Sequence, residues 1–301
     1  MPSQIRLGAL CAACALTITG LVAAQSPAPT PDAPPQTSAT ADAPLNPALP
    51  TVFIVGDSTA RNGVDLGWGD HFAHLLETSR IQVANRAIAG RSSRSYIAEG
   101  HWASLLTQLK AGDFVLIQMG HNDGAGTPES VLHDPKNRTS LKGLGNETVD
   151  VPITDAMARV YAKGPFADQA VETVHTYGWY MRKMIDEAKA KGAIPMVLTT
   201  TVRNIWAACP KSTTGQMCIE RDMGFRNYDI QIADQEKVYL IDMGRLSANA
   251  FESMGEKETA AFFPIDHTHT SALGAEINAA SVARALGVAR SPLAEYIMGH
   301  D

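Results

Sequence analysis

Three short strings place polar, reactive side chains where a chain reversal would expose them. Gly56-Asp57-Ser58-Thr59 follows the apolar run TVFIV, and Met119-Gly120-His121-Asn122-Asp123-Gly124 follows DFVLIQ. Phe263-Pro264-Ile265-Asp266-His267-Thr268-His269 stands before a long stretch of small and apolar residues. A serine hydroxyl is a poor nucleophile until an imidazole accepts its proton, and the imidazole needs a carboxylate to fix its tautomer. Asp266 and His269 can supply both to Ser58. Asn122 carries an amide able to donate to a developing oxyanion, and Gly90 can present its backbone N–H to the same oxygen. Each also has an ordinary reading. Ser58 can cap a helix, Gly90 and Gly120 can be turn punctuation, and Asp266, His267 and His269 are competent metal ligands. With no second Cys or His cluster near the last string, an orienting pair without a metal is the better account.

The elements that must position these groups are legible as alternating patterns. Short β-branched apolar runs (TVFIV, IQVANRAI, DFVLIQMG, AIPMVLTTT, VYLIDM) alternate with stretches of helical period. The helical stretches are GDHFAHLLETS, HWASLLTQLK, VHTYGWYMRKMIDEAKAKG, FRNYDIQIADQEK and SALGAEINAASVARALG. Strands separated by helices imply an α/β three-layer sandwich, a five-stranded and mostly parallel sheet flanked by helices on both faces. In such folds ligands bind at the carboxyl ends of the strands, where Ser58, Gly90 and Asn122 fall.

Composition excludes several function classes. The chain has 301 residues, 45% hydrophobic and 19% charged, which suits one sizeable core. Its formal net charge is -6, and the only charged side chain in 1–24 is Arg6, so the remainder carries -6 - 1 = -7. That disfavours a nucleic-acid partner. Phosphate-loop, dinucleotide, zincin and G-x-S-x-G signatures are all missing, and no cofactor is expected.

Residues 1–24 read as a signal peptide: Arg6, an apolar stretch from Leu7 to Leu21, and a small-residue cleavage site at Val22-Ala23-Ala24. A membrane anchor is the competing reading. Residues 25–50 are a Pro/Ala/Thr-rich linker, and 51–301 form the folded domain. The expected location is secreted or periplasmic, with no stable membrane insertion after signal removal. Cys209 and Cys218 are the cysteines left in the mature chain, and in an oxidising compartment they are expected to pair.

The strings GDST, the glycine after the second strand, GHND and DHTH, in that order, resemble the blocks of the SGNH, or GDSL, hydrolases, which share a flavodoxin-like sandwich. The resemblance covers about Thr51 to Gly287. The longer strings GDSTA, NRAIAGRSSRSYI, GHND, VHTYGWYMRKMIDEAKAKGA and FFPIDHTHTSALGA resemble rhamnogalacturonan acetylesterases. The resemblance implies Ser58 as nucleophile, His269 as general base and Asp266 as its orienting carboxylate. It implies an oxyanion hole formed by the Ser58 and Gly90 N–H groups and the Asn122 amide. The implied partner is an acetylated pectic polysaccharide. Arg91 and Arg94 can pair with uronate carboxylates, and Trp206 or Tyr177 can stack on sugars. A polar excursion over 124–170 is expected to shape the substrate groove. An acetylesterase on xylan, homogalacturonan or a small ester, and a non-catalytic carbohydrate-binding protein, are the alternatives.

Overall fold

Five of the apolar runs pair side by side in one sheet. In the computed structural model, which describes residues 44–299 apart from 211, 214, 222 and 223, they are β1 (Thr51–Val55), β2 (Gln82–Asn85), β3 (Phe114–Ile117), β6 (Ile194–Leu198) and β9 (Tyr239–Ile241). Their order is β2-β1-β3-β6-β9, and every pairing is parallel. The chain moves outward from β1 to β2 and then returns across β1 to β3. That reversal opens a crevice at the carboxyl ends of the central strands.

Alternation along each strand divides the core into two. Val52 and Ile54, with Leu116, Met196 and Leu198, face the helices Met243–Met254 and Ala272–Val288 and the short segment around Trp68 and Phe72. Phe53 and Val55, with Val115, Ile117 and Val197, face Ser93–Ala98, His101–Leu106, Tyr177–Ala190 and Arg226–Glu236. Successive strand side chains point to opposite faces, so a strand covered on both sides must be apolar throughout. All five residues of β1 are buried. The three-layer sandwich is therefore as expected.

Local differences have physical causes. The run GDHFAHLLETS makes only a helical turn at Trp68–His71 followed by a 3-10 turn at Phe72–Leu75. Its entry is constrained by Gly67, whose Cβ would lie 2.4 Å from the Ala60 carbonyl group. In VHTYGWYMRKMIDEAKAKG the first residues belong to β5 (Val171–His175), because Thr176 caps the helix by accepting from the Trp179 N–H. The 124–170 excursion, extended into β5, has its own small core. β4 (Thr148–Pro152) pairs antiparallel with β5, and Val151, Met157, Tyr161 and Val174 pack beneath the pair.

After β6 the chain forms an unforeseen antiparallel hairpin, β7 (Arg203–Ala208) with β8 (Met217–Glu220). The disulfide Cys209–Cys218 closes it, with Cα atoms 4.8 Å apart. The expected signal peptide at 1–24 and the linker up to residue 43 lie outside the described residues. The end of the expected linker is docked on the domain. Leu45 packs against the core, Asn46 exchanges two hydrogen bonds with the Gln82 side chain, and Lys110 donates to the Leu49 carbonyl. Among the described residues no helix is long and apolar enough to cross a membrane.

Candidate active site

Ser58 stands just beyond β1, held by the residue before it. The Asp57 carboxylate accepts from the Thr59 N–H and Oγ1, both at 2.8 Å, and the Asp57 carbonyl accepts from Ala60 and Arg61. This single turn leaves the Ser58 side chain free of capping. Its Oγ lies 2.8 Å from His269 Nε2. His269 Nδ1 lies 2.7 Å from Asp266 Oδ2, while Asp266 Oδ1 accepts from the backbone N–H of Thr268 and His269. An ionised carboxylate can only accept, so Nδ1 carries the proton and Nε2 is left to receive the one Ser58 donates.

Burial works to raise the Asp266 pKa, but the hydrogen bonds from the His269 ring, the His269 amide and the Thr268 amide bring it down to about 2. Asp266 therefore stays ionised in any neutral solution. Its oxygens are spent on the loop and the imidazole. His267 turns its side chain outward and offers its carbonyl to the Asn204 N–H of the β7–β8 hairpin. Among the described residues no three His, Cys, Asp or Glu side chains are grouped as a metal site.

Three backbone segments converge beside Ser58. Asn122 donates through Nδ2 to the Arg91 carbonyl at 3.1 Å and, more weakly, to Asp57 Oδ2 at 3.4 Å. These contacts bring the Ala89-Gly90-Arg91 turn and the end of β3 against the Ser58 turn. Gly90 adopts φ +76, a conformation that favours glycine. The amides of Ser58 and Gly90 donate to no other group among the described residues. Gly120 is required by space as well as by its φ of +135, since a Cβ there would lie 2.8 Å from Thr200 Cγ2 and 3.0 Å from the Phe225 ring. A hydroxyl backed by an imidazole–carboxylate pair, beside unengaged N–H groups, can attack a carbonyl carbon and stabilise the resulting oxyanion.

Two groups expected to meet substrate are elsewhere. Arg94 is completely buried, with Nε and Nη2 on the two Glu172 oxygens at 2.8 and 2.6 Å and Nη1 on the Thr139 carbonyl at 2.9 Å. Desolvation alone would lower its pKa, but the Glu172 carboxylate reverses this and raises it. Arg94 thus pins the excursion to the sheet edge, because a buried guanidinium needs a partnered carboxylate. Tyr177 is also fully buried, its hydroxyl donating to Asp229 at 2.7 Å. Neither can touch a sugar.

Arg91 is one-third exposed but paired with Glu99 at 2.8 Å. Trp206 rests against the cluster of Val202, Ile219, Ala248, Phe251 and Phe263, and its indole N–H donates to Asn204 at 2.7 Å.

Several supports had no sequence reading. Buried Gln118 accepts from the Trp68 indole at 2.6 Å and bonds Thr59, which locks the Ser58 turn to β3. Buried Asp123 accepts from the Ser93 N–H and hydroxyl and from Ser140 Oγ, joining the GHND turn to the helix Ser93–Ala98 and to the excursion. Desolvation pushes Asp123 up to about 6 despite the Ser93 and Ser140 hydrogen bonds, with the Asp57 charge adding to the rise. The available signal was Asp123, a carboxylate directly after Asn122, though it reads equally as a solvated turn residue; nothing local marked Gln118.

Residues 54–277 match the model of the GDSL-like lipase/acylhydrolase family. A rhamnogalacturonan acetylesterase from Emericella nidulans is 32% identical over 236 residues, 78% of this chain and 84% of that protein. A probable rhamnogalacturonan acetylesterase from Bacillus subtilis is 29% identical over 260 residues, 82% of this chain and 97% of that one. The crystal structure of YxiM from Bacillus subtilis superposes with a TM-score of 0.57 at 24% identity, covering 81% of this chain and 58% of that longer one, a likeness of fold. The matched span takes in Ser58, Gly90, Asn122, Asp266 and His269, and the chain belongs to the GDSL-like lipase/acylhydrolase family.

Proposed function

We propose that the chain, a carboxylic ester hydrolase by family, removes acetyl groups from a pectic polysaccharide, rhamnogalacturonan, through an acetyl-serine intermediate. The hydrogen-bond relay from Ser58 through His269 to Asp266 is the observation that carries this reading. Ser58 Oγ attacks the acetyl carbonyl while its proton passes to His269 Nε2, and the imidazolium formed is stabilised by Asp266. Collapse of the tetrahedral intermediate breaks the bond to the sugar oxygen, which takes the proton from Nε2. Water then repeats the sequence on the acetyl-enzyme and releases acetate, restoring the Ser58 hydroxyl.

The oxyanion of both intermediates rests on the Ser58 and Gly90 N–H groups and on Asn122. The Arg91 carbonyl orients the Asn122 amide, and the N–H in the stretched contact with Asp57 is the one free to turn inward. Each such donor contributes about 2.7–4 kcal/mol to transition-state binding. The two similar rhamnogalacturonan acetylesterases, which match most of this chain, support the acetyl group and the polymer. Export by a signal peptide over 1–24, with Gln25 as the mature start, places the enzyme where such polymers occur.

Acetate release from acetylated rhamnogalacturonan, homogalacturonan and xylan tests the reading, with Ser58→Ala as the control. The expected outcome is Ser58-dependent release with the highest kcat/KM on rhamnogalacturonan. Release confined to xylan, or to small esters such as p-nitrophenyl acetate, would overturn the polymer assignment while leaving the esterase. A fully active Ser58→Ala protein would overturn the nucleophile.

A further inference from the structure

Beside the oxyanion glycine lies a cleft of about 370 Å³, whose walls include Gly90, Arg91 and Glu99 on one side and Lys136, Arg138 and Val160 from the excursion on the other. That volume is in the range of small-ligand pockets. The excursion wall is a built turn. Asp134 accepts through Oδ1 from the Lys136 N–H at 2.9 Å and through Oδ2 from the Arg138 and Thr139 N–H groups, both at 2.7 Å. Asn137 takes the left-handed conformation at φ +50, and the buried Arg94 grips the following Thr139 carbonyl. The side chains of Lys136 and Arg138 are thereby delivered to the cleft.

The charge balance of the cleft is one-sided. Glu99 is occupied by Arg91 at 2.8 Å and by His101 at 3.0 Å. Among the described residues, neither Lys136 nor Arg138 has a carboxylate partner at ion-pair distance. Arg138 instead donates Nη1 to the Gly90 carbonyl at 3.1 Å. An always-charged guanidinium with four further N–H bonds to give, beside a lysine, is suited to a planar carboxylate.

We infer that this cleft is a uronate subsite: Lys136 and Arg138 bind the carboxylate of a galacturonate residue in the bound polymer. The inference rests on the polysaccharide reading above, since a polymer containing galacturonate supplies that carboxylate along the same chain. Arg138 spans from Gly90, at the reacting carbonyl, into the cleft, so one side chain ties recognition of the acidic sugar to the position of the oxyanion turn. Arg91, half-spent on Glu99, is the supporting cation rather than the principal one.

The probe is unacetylated oligogalacturonate, titrated calorimetrically into the full chain, with its fully methyl-esterified form as the neutral counterpart. Wild type should bind the acid form, and Lys136→Gln/Arg138→Gln should bind it at least tenfold more weakly, which corresponds to about 1.4 kcal/mol. The methyl ester should bind wild type and variant alike. Arg138→Lys, which keeps the charge, should restore part of the loss. A wild type that does not bind, or a double variant that binds the acid form as wild type does, would overturn the subsite.

Acetate release distinguishes this from failure of the substrate reading. A carboxylate-dependent binding difference in a chain that deacetylates no pectin leaves the subsite standing and removes the proposed reaction. Pectin deacetylation whose kcat/KM is indifferent to methyl esterification does the reverse.

Discussion

Replacing Asp266 by Asn tests the relay with almost no change in shape. Asp266 Oδ1 accepts the Thr268 and His269 amides at 2.7 and 2.8 Å, and Oδ2 accepts from His269 Nδ1 at 2.7 Å. In the variant the carbonyl oxygen of Asn keeps the two backbone amides, so the loop stays formed and the NH2 group points at Nδ1. A donor there makes Nδ1 the acceptor and moves the ring proton to Nε2, the atom that must take the proton of Ser58. The transition state also loses the carboxylate that stabilises the imidazolium. Where the equivalent substitution is known in a serine protease, kcat falls about 10⁴-fold. At about 1.36 kcal/mol per decade, a loss of 10³–10⁴ here corresponds to about 4–5.5 kcal/mol of barrier. The assay is kcat on p-nitrophenyl acetate, with thermal unfolding as the check that the fold is intact.

The pH profile sharpens the same test. Asp266, with its pKa lowered to about 2, remains charged from pH 4 upward. Its contribution to the folded loop is complete above the ordinary carboxylate value and is lost only as pH falls through about 2. In wild type, kcat/KM should therefore rise with pH as the imidazole becomes neutral, with no step from Asp266 above pH 4. A well-folded Asp266→Asn protein within tenfold of wild-type kcat would refute the reasoning.

Asp123, pushed up to about 6, binds its proton more tightly folded than unfolded, so stability should decline as pH rises from about 4 to 6. Denaturant titrations at several pH values should show this slope in wild type and its loss in Asp123→Asn. Arg94→Met leaves Glu172 buried with only the Tyr161 hydroxyl, and should cost about 3–5 kcal/mol in the same assay. A cost under 1 kcal/mol would mean that the pair is not buried in solution. Intact mass of the unreduced protein should be lower than that of the reduced form by two hydrogens, from Cys209–Cys218. Replacing both cysteines by Ser should cost about 2.5–3 kcal/mol on the chain-entropy account of a short closed loop.

The sheet and the placement of the candidate site residues were readable because both are written locally. A strand buried on both faces must be apolar at every position, so β1 as TVFIV and β3 as FVLI declare themselves within a few residues. Parallel strands then put their carboxyl ends together, which brings Ser58, Gly90 and Asn122 to one edge before any coordinate is known. The Asp266–His269 pair was equally legible, since both members stand on one turn.

What the sequence left undecided is where long polar side chains end up, because that depends on groups distant along the chain. Arg94 sits four residues after Gly90 and reads as a surface cation. Only the return of β5 places Glu172 against it, across a sequence separation of 78, and converts it into a buried support. Tyr177 reads as a sugar-stacking ring until Asp229 arrives from a later helix to take its hydroxyl. The converse holds for Lys136 and Arg138, whose string looks like ordinary loop. Their meaning appears only when the Asp134 turn, held by Arg94, sets Arg138 on the Gly90 carbonyl and Lys136 in the same cleft. Periodicity encodes which face of an element is apolar, whereas a charge acquires its role from the partner that the tertiary fold brings to it or withholds.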